Sequence, residues 1–139
     1  MKKTVWCSLL LMLTSPAWAL ETKVLSAHDL EETVERYTDI LLNARVEVIE
    51  ERYIRMGKGR EILFPSPLYG TRIGECAKGS RKDAPMSARI YQDRNDRVWL
   101  AYDEPQPHIN QFGVIECGNE MANVSKVLSG FASSATSDD

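Results

Sequence analysis

Hydrophobic and polar positions follow two periods along this chain, and the changes of period mark its elements. A short extended entry, Glu21 to Leu25, comes first. Leu30, Val34, Tyr37 and Leu41 then recur at helical spacing, with Glu31, Glu32, Glu35 and Arg36 mainly off their stripe, which predicts a surface helix packed by one face. Ser26, followed three residues later by Asp29, predicts the N-cap, and Asn43 a left-handed stop. At Val46-Glu47-Val48 the period changes to two. A first hairpin is expected from Val46 to Ile54 and from Glu61 to Phe64 around Met56-Gly57-Lys58-Gly59, with a bulge or an edge where the alternation falters at Glu50. In a second hairpin Ala88 and Ile90 alternate with Arg89 and Tyr91, and Val98, Leu100 and Tyr102 alternate with Trp99 and Ala101, with Arg94-Asn95-Asp96 as the turn. Between the hairpins, Pro65 to Pro85 is rich in Pro, Gly, Ser and charge and reads as a long connection. After Pro105-Gln106-Pro107 a last helix is expected, capped near Asn119, with Met121, Val124, Val127, Leu128 and Phe131 inward and Ser133 to Asp139 as a solvated tail.

Strand, helix, four strands, helix is an α+β order, in which two helices cover one face of a small antiparallel sheet and leave the other open. If Val98, Leu100 and Tyr102 turn to the helices, Arg89, Tyr91 and Trp99 project from the opposite face. An aromatic pair flanked by arginine suits a small ligand or a protein contact, a second copy included; the plainer reading is that these side chains simply cover the sheet.

The first stretch changes the picture of the whole. Lys2 and Lys3, the apolar run Leu9 to Leu13 and the small residues of Ala17-Trp18-Ala19 have the order of a secretory signal cleaved after Ala19. The apolar run is well short of the ~20 residues that span a bilayer, and Cys7 lies too early for a lipoprotein anchor. The expected mature protein is therefore periplasmic or secreted, with one domain over residues 20–132 and no membrane anchor. Of 139 residues at net charge −3, removal of residues 1–19 takes two lysines and no acid, so 120 residues remain at −5. An acidic chain offers no electrostatic argument for binding nucleic acid. Trp6, Trp18 and Cys7 also leave, so Trp99 becomes the single tryptophan and Cys76 and Cys117 the remaining cysteines.

The segments Phe64-Pro65-Ser66-Pro67-Leu68-Tyr69-Gly70-Thr71, Ala84-Pro85-Met86 leading into Ile90-Tyr91-Gln92-Asp93, and Arg97-Val98-Trp99-Leu100-Ala101-Tyr102-Asp103-Glu104-Pro105 resemble the domain of unknown function 302 family. The resemblance covers most of the chain after residue 19 and implies a TBP-like β-α-β4-α fold. Asn95-Asp96 stands where Asp-Gly is usual in that pattern. It carries over no activity, cofactor or site residue, and a TBP-like fold does not by itself bring DNA binding.

Candidate chemistry is sparse. In an oxidising compartment Cys76 and Cys117 are expected to form one structural disulfide, worth about 4 kcal/mol in the chain-entropy model; the rival is a redox-active pair, which the absence of C-x-x-C spacing disfavours. His28 reads as an exposed residue of the first helical turn. His108, in a Pro-rich loop, is the better candidate metal ligand. With Met56, Met86 and Met121 the histidines form a possible copper set, but their spacing is scattered and core filling is the commoner role of such methionines. No catalytic motif is present. Glu31-Glu32 and Glu50-Glu51 read as solvated surface, and Asn123-Val124-Ser125 as a chance glycosylation pattern on a helix. The expectation is an exported binding or interaction module for a small ligand or a periplasmic protein; the alternative is a thiol-redox or metal-dependent enzyme or metal-binding protein. A free-thiol titration of the exported protein should find no reactive sulfhydryl, and two would overturn the structural bridge.

Overall fold

A computed structural model describes residues 21–67, 85–105, 108–109, 115–116 and 118–139. The elements are β1 (Glu21–Leu25), α1 (Leu30–Asn43), β2 (Glu50–Ile54), β3 (Gly59–Phe64), β4 (Met86–Gln92), β5 (Val98–Asp103), β6 (His108–Ile109), β7 (Ile115–Glu116) and α2 (Gly118–Thr136). The first five strands form one antiparallel sheet in the order β1-β5-β4-β3-β2, and the short pair β6–β7 stands apart, an addition to the expected order. Cys76 and Cys117 lie outside the described residues, as does most of the connection between the hairpins.

The helix stripe packs as its spacing requires. Val34, Tyr37 and Leu41 are buried, and the Tyr37 ring meets Phe64 of β3 with centroids 6.1 Å apart. Burial raises the Tyr37 hydroxyl well above its usual range, with the nearby Tyr102 adding to it. From the sheet come Ile62, Ile90, Leu100 and Val98; from α2 come Val124, Leu128, Ala132 and Ala135. Both helices lie on this one face.

The ends of α1 correct two expectations. The cap is Asp29, whose side chain accepts from the Glu32 backbone N–H at 2.8 Å, with Glu31 and Glu32 placed to favour the helix dipole. Ser26 instead hydrogen-bonds the Thr33 hydroxyl at 2.7 Å and accepts from the His28 N–H at 3.1 Å, acting one turn upstream of the cap. At the other end the left-handed residue is Arg45, φ 59°, not Asn43. Its N–H donates to the Leu42 carbonyl and that of Val46 to the Leu41 carbonyl, the paired closure of a Schellman motif, with Val46 and Leu41 both buried. Val46 is consumed by this closure, so β2 begins only at Glu50. The Ile49 N–H donates to the Leu63 carbonyl at 2.7 Å while Glu50 is Leu63's register partner; two residues facing one is the bulge expected near Glu50, on what is also an edge strand.

Alternation in β3 places Arg60 on the helix side with Ile62 and Phe64, at 8% exposure. Its guanidinium donates to Glu31 at 2.6 Å and to the carbonyls of Gly57 and Gly59, and lies 4.0 Å from the Tyr53 ring centroid. A charge in a core-facing row is tolerated because three hydrogen bonds, one of them to the Glu31 carboxylate, and a second carboxylate, Glu51 at 3.9 Å, compensate it.

The last helix also differs. Gly118 begins it, so Asn119 lies within its first turn, and it runs on through Thr136. Ala135 and Thr136 are buried, the Ala27 N–H donates to the Thr136 carbonyl at 2.8 Å, and Arg36 donates to the carbonyls of Ser134, Ser137 and Asp139. Residues 133–139 are therefore a docked helix end, not a solvated tail; the Arg36 guanidinium of α1 and the Ala27 N–H of the turn before it satisfy terminal carbonyls. Deleting Ser134–Asp139 should lower stability by about 2–4 kcal/mol in urea unfolding, at about 1 kcal/mol per lost hydrogen bond; a free tail would change it by less than about 0.5 kcal/mol.

Candidate functional site on the outer sheet face

The register fixes which side chains share the face turned away from the helices. One row runs Leu25, Trp99, Tyr91, Gly59, Ile54 from edge to edge; the next runs Lys23, Ala101, Arg89, Glu61, Arg52. Arg89, Tyr91 and Trp99 are thus brought to one face, with Tyr91 and Trp99 directly opposite each other.

Their surroundings are more closed than an open sheet. Arg89 donates to Glu21 at 2.9 Å and to Asp103 at 3.0 Å, and Arg52 lies between Glu50 at 3.1 Å and Glu61 at 3.7 Å. Arg89 is thereby spent on holding β1, β4 and β5 together. Tyr91 is only 7% exposed. Beside it, a Cβ on Gly59 would come within 2.8 Å of Ile54 and 3.1 Å of the Tyr91 Cβ, so the close fit of β2, β3 and β4 here requires glycine. Trp99 remains half-buried, its Nε1–H donating to Asp93 at 2.9 Å. Asp93 also accepts from the backbone N–H groups of Asn95 and Arg97 and from the Arg97 side chain, closing the β4–β5 turn in which Asp96 takes φ 60°.

Two cations missed in the sequence complete the face. The Arg55 guanidinium lies 3.9 Å from the Tyr91 ring centroid and the Lys23 ammonium 5.9 Å from it. Among the described residues neither has a carboxylate within 4 Å, whereas Arg52, Arg60, Arg89 and Arg97 all do. Arg55 and Met56 both adopt left-handed backbone, φ 50° and 56°, before Gly57 at 89°. Each non-glycine residue there costs about 1–2 kcal/mol. This turn leaves Met56 fully exposed and sets Arg55 over Tyr91.

The other residues singled out in the sequence do not join this face. His28 lies before α1 and is largely buried rather than exposed, its side chain at 12%; Nε2 is 2.6 Å from the Ser137 carbonyl and Nδ1 3.3 Å from Glu32. The His108 backbone belongs to β6, opposite Glu116. Met86 packs against the core. No group of three or more His, Cys, Asp or Glu side chains among the described residues is placed to hold a metal. The described helices include none long and apolar enough to cross a membrane.

No family model and no curated protein matches the sequence. Among solved structures, the crystal structure of an uncharacterised conserved DUF302 protein from Bacillus stearothermophilus superposes with a TM-score of 0.59 at 11% identity, over 84% of this chain and 94% of that one. The chain has the fold of a DUF302 protein. The α+β architecture expected from the strand and helix order, two helices on one face of an antiparallel sheet, is therefore met both by the structure and by a DUF302 neighbour. At this identity the DUF302 likeness concerns the fold.

The hydrogen bond from Trp99, joined by those from Arg97 and Asn95, holds the Asp93 carboxyl down to about 2, below its ordinary 3.8. Because the folded value is the lower one, the stabilisation it brings is complete above about pH 4 and is lost as pH falls through about 2. The Trp99 indole N–H resonance should titrate with a midpoint near pH 2, and Asp93→Asn should abolish that titration.

Proposed function

We propose that the protein is an exported binding module of the DUF302 type, whose ligand surface is the outer sheet face around Tyr91 and Trp99. The secretory pattern of residues 1–19 supports export, and the fold of an uncharacterised DUF302 protein supports the type. The observation that carries the binding reading is the convergence of Lys23 and Arg55 on one buried aromatic ring, without a carboxylate among the described residues, beside a half-buried indole. Two like charges brought near one ring repel each other, and an anion between them relieves that repulsion. Leu25 and Trp99, neighbours in the row that runs on to Tyr91, supply an apolar surface next to the charge. The ligand class that fits is a small anion with a flat apolar body, which pairs with Lys23 and Arg55 and lies against Trp99. On a mature chain of net charge −5, this local positive charge sets the face apart from the rest of the surface.

Benzoate is a suitable probe, with benzyl alcohol as its uncharged control. In the exported protein, where Trp99 is the single tryptophan, benzoate should change its fluorescence saturably and benzyl alcohol should not. Lys23→Ala combined with Arg55→Ala should weaken the benzoate response about tenfold, as two exposed ion contacts would. An unchanged affinity in the double variant, or no saturable response, would overturn this assignment.

A further inference from the structure

Between the last turns of α1 and the connection that leads to β2 lies an open groove of about 680 Å³. That falls within the roughly 300–1,000 Å³ of sites for drug-sized ligands. Leu42, 72% exposed, and the half-buried Val48 give it apolar surface.

The charges on its wall are of both signs and are not spent on one another. Asp39, Arg45 and Glu47 all line the groove, and among the described residues none of their side chains makes a hydrogen bond or an ion pair. Arg52, Arg60, Arg89 and Arg97, by contrast, each have a carboxylate within 4 Å. Arg45 is also the left-handed residue that closes α1, at φ 59°, where glycine or asparagine is usual and a longer side chain is strained. Strain of this kind gathers at functional positions. The Arg45 N–H donates to the Leu42 carbonyl, so the closure holds the cation and the apolar surface in one fixed relation before any ligand arrives.

We infer that this groove is a second binding site, separate from the outer-face aromatic pair, for a dipeptide-sized ligand with both termini free and apolar side chains. Its carboxylate pairs with Arg45, its ammonium with Asp39 or Glu47, and its side chains lie on Leu42 and Val48. A ligand carrying only negative charge would meet two carboxylates, and one carrying only positive charge would leave the guanidinium unanswered; a ligand of both signs matches the wall.

Leucyl-leucine is the probe, with its C-terminal amide and its N-acetyl form as controls that each lack one charge. Leucyl-leucine should shift the Leu42 and Val48 methyl resonances of the exported protein saturably, and each control should bind roughly two- to fivefold more weakly, the range of one exposed ion contact. Arg45→Asn keeps a residue suited to left-handed backbone, so the turn should fold; it should weaken leucyl-leucine by that factor and leave the amide unchanged. Asp39→Asn combined with Glu47→Gln should weaken leucyl-leucine and leave the N-acetyl form unchanged. The double substitution of Lys23 and Arg55 should affect none of the three. If leucyl-leucine gives no saturable shift, if Arg45→Asn weakens acid and amide alike or neither, or if those methyls move with protein concentration alone, as a second copy in the groove would make them, the inference fails.

Discussion

The first helix begins where the last one ends, and the hydrogen bonds made at that meeting close the helical layer. Ala27 donates to the Thr136 carbonyl, His28 lies against Ser137, and Arg36 gathers three carbonyls of the α2 terminus. The neighbouring Ser26 N–H donates to the Val98 carbonyl, so the same turn also fixes the start of β5 beside β1. Among the described residues, Thr33, Ala132 and Ala135, all small, are fully buried at this end, consistent with a close approach of the two helices. Once that layer is closed, the buried faces of β3, β4 and β5 have one side to pack against, and every second residue of those strands is committed to the other face.

On that face the charges are arranged so that most of them neutralise one another. Arg89 and Arg52 each sit between two carboxylates, and Arg97 shares Asp93 with Trp99. Such exposed pairs add little stability individually, and their effect is chiefly to fix geometry. Lys23 and Arg55 stand outside that pattern, and Arg55 does so from a turn whose backbone is unfavourable for arginine.

Most of the fold was legible because burial imposes periods. The alternation of Ala88, Ile90, Val98, Leu100 and Tyr102, and the stripe Val34-Tyr37-Leu41, mark the packed faces directly. Choices between equivalent residue types were not legible. Ser26 and Asp29 are both good caps, and tertiary contacts with Thr33 assign Ser26 elsewhere. The polar composition of residues 133–139 concealed a helix end held by its backbone carbonyls, which any residue possesses. The burial of His28 is hidden from the sequence for the same reason, since its partner Ser137 is distant along the chain. On the outer face, parity alone placed Arg89, Tyr91 and Trp99 together, but nothing local signals that Arg55 turns back over Tyr91: the left-handed pair Arg55-Met56 has no composition cue.

The bulge at Ile49 and Glu50 has a further consequence for a chain that presents β2 at the sheet's edge. Ile49 and Tyr53 are 59% and 74% exposed there, and a regular strand with such side chains would be a template for the strand of another molecule. The two-against-one facing of Leu63 breaks the even spacing of the edge's free N–H and C=O groups, and Glu50, Glu51 and Arg52 would bring charge into any added ladder. Irregular spacing and charge at this edge are features that disfavour the addition of a further strand beside the exposed Ile49 and Tyr53.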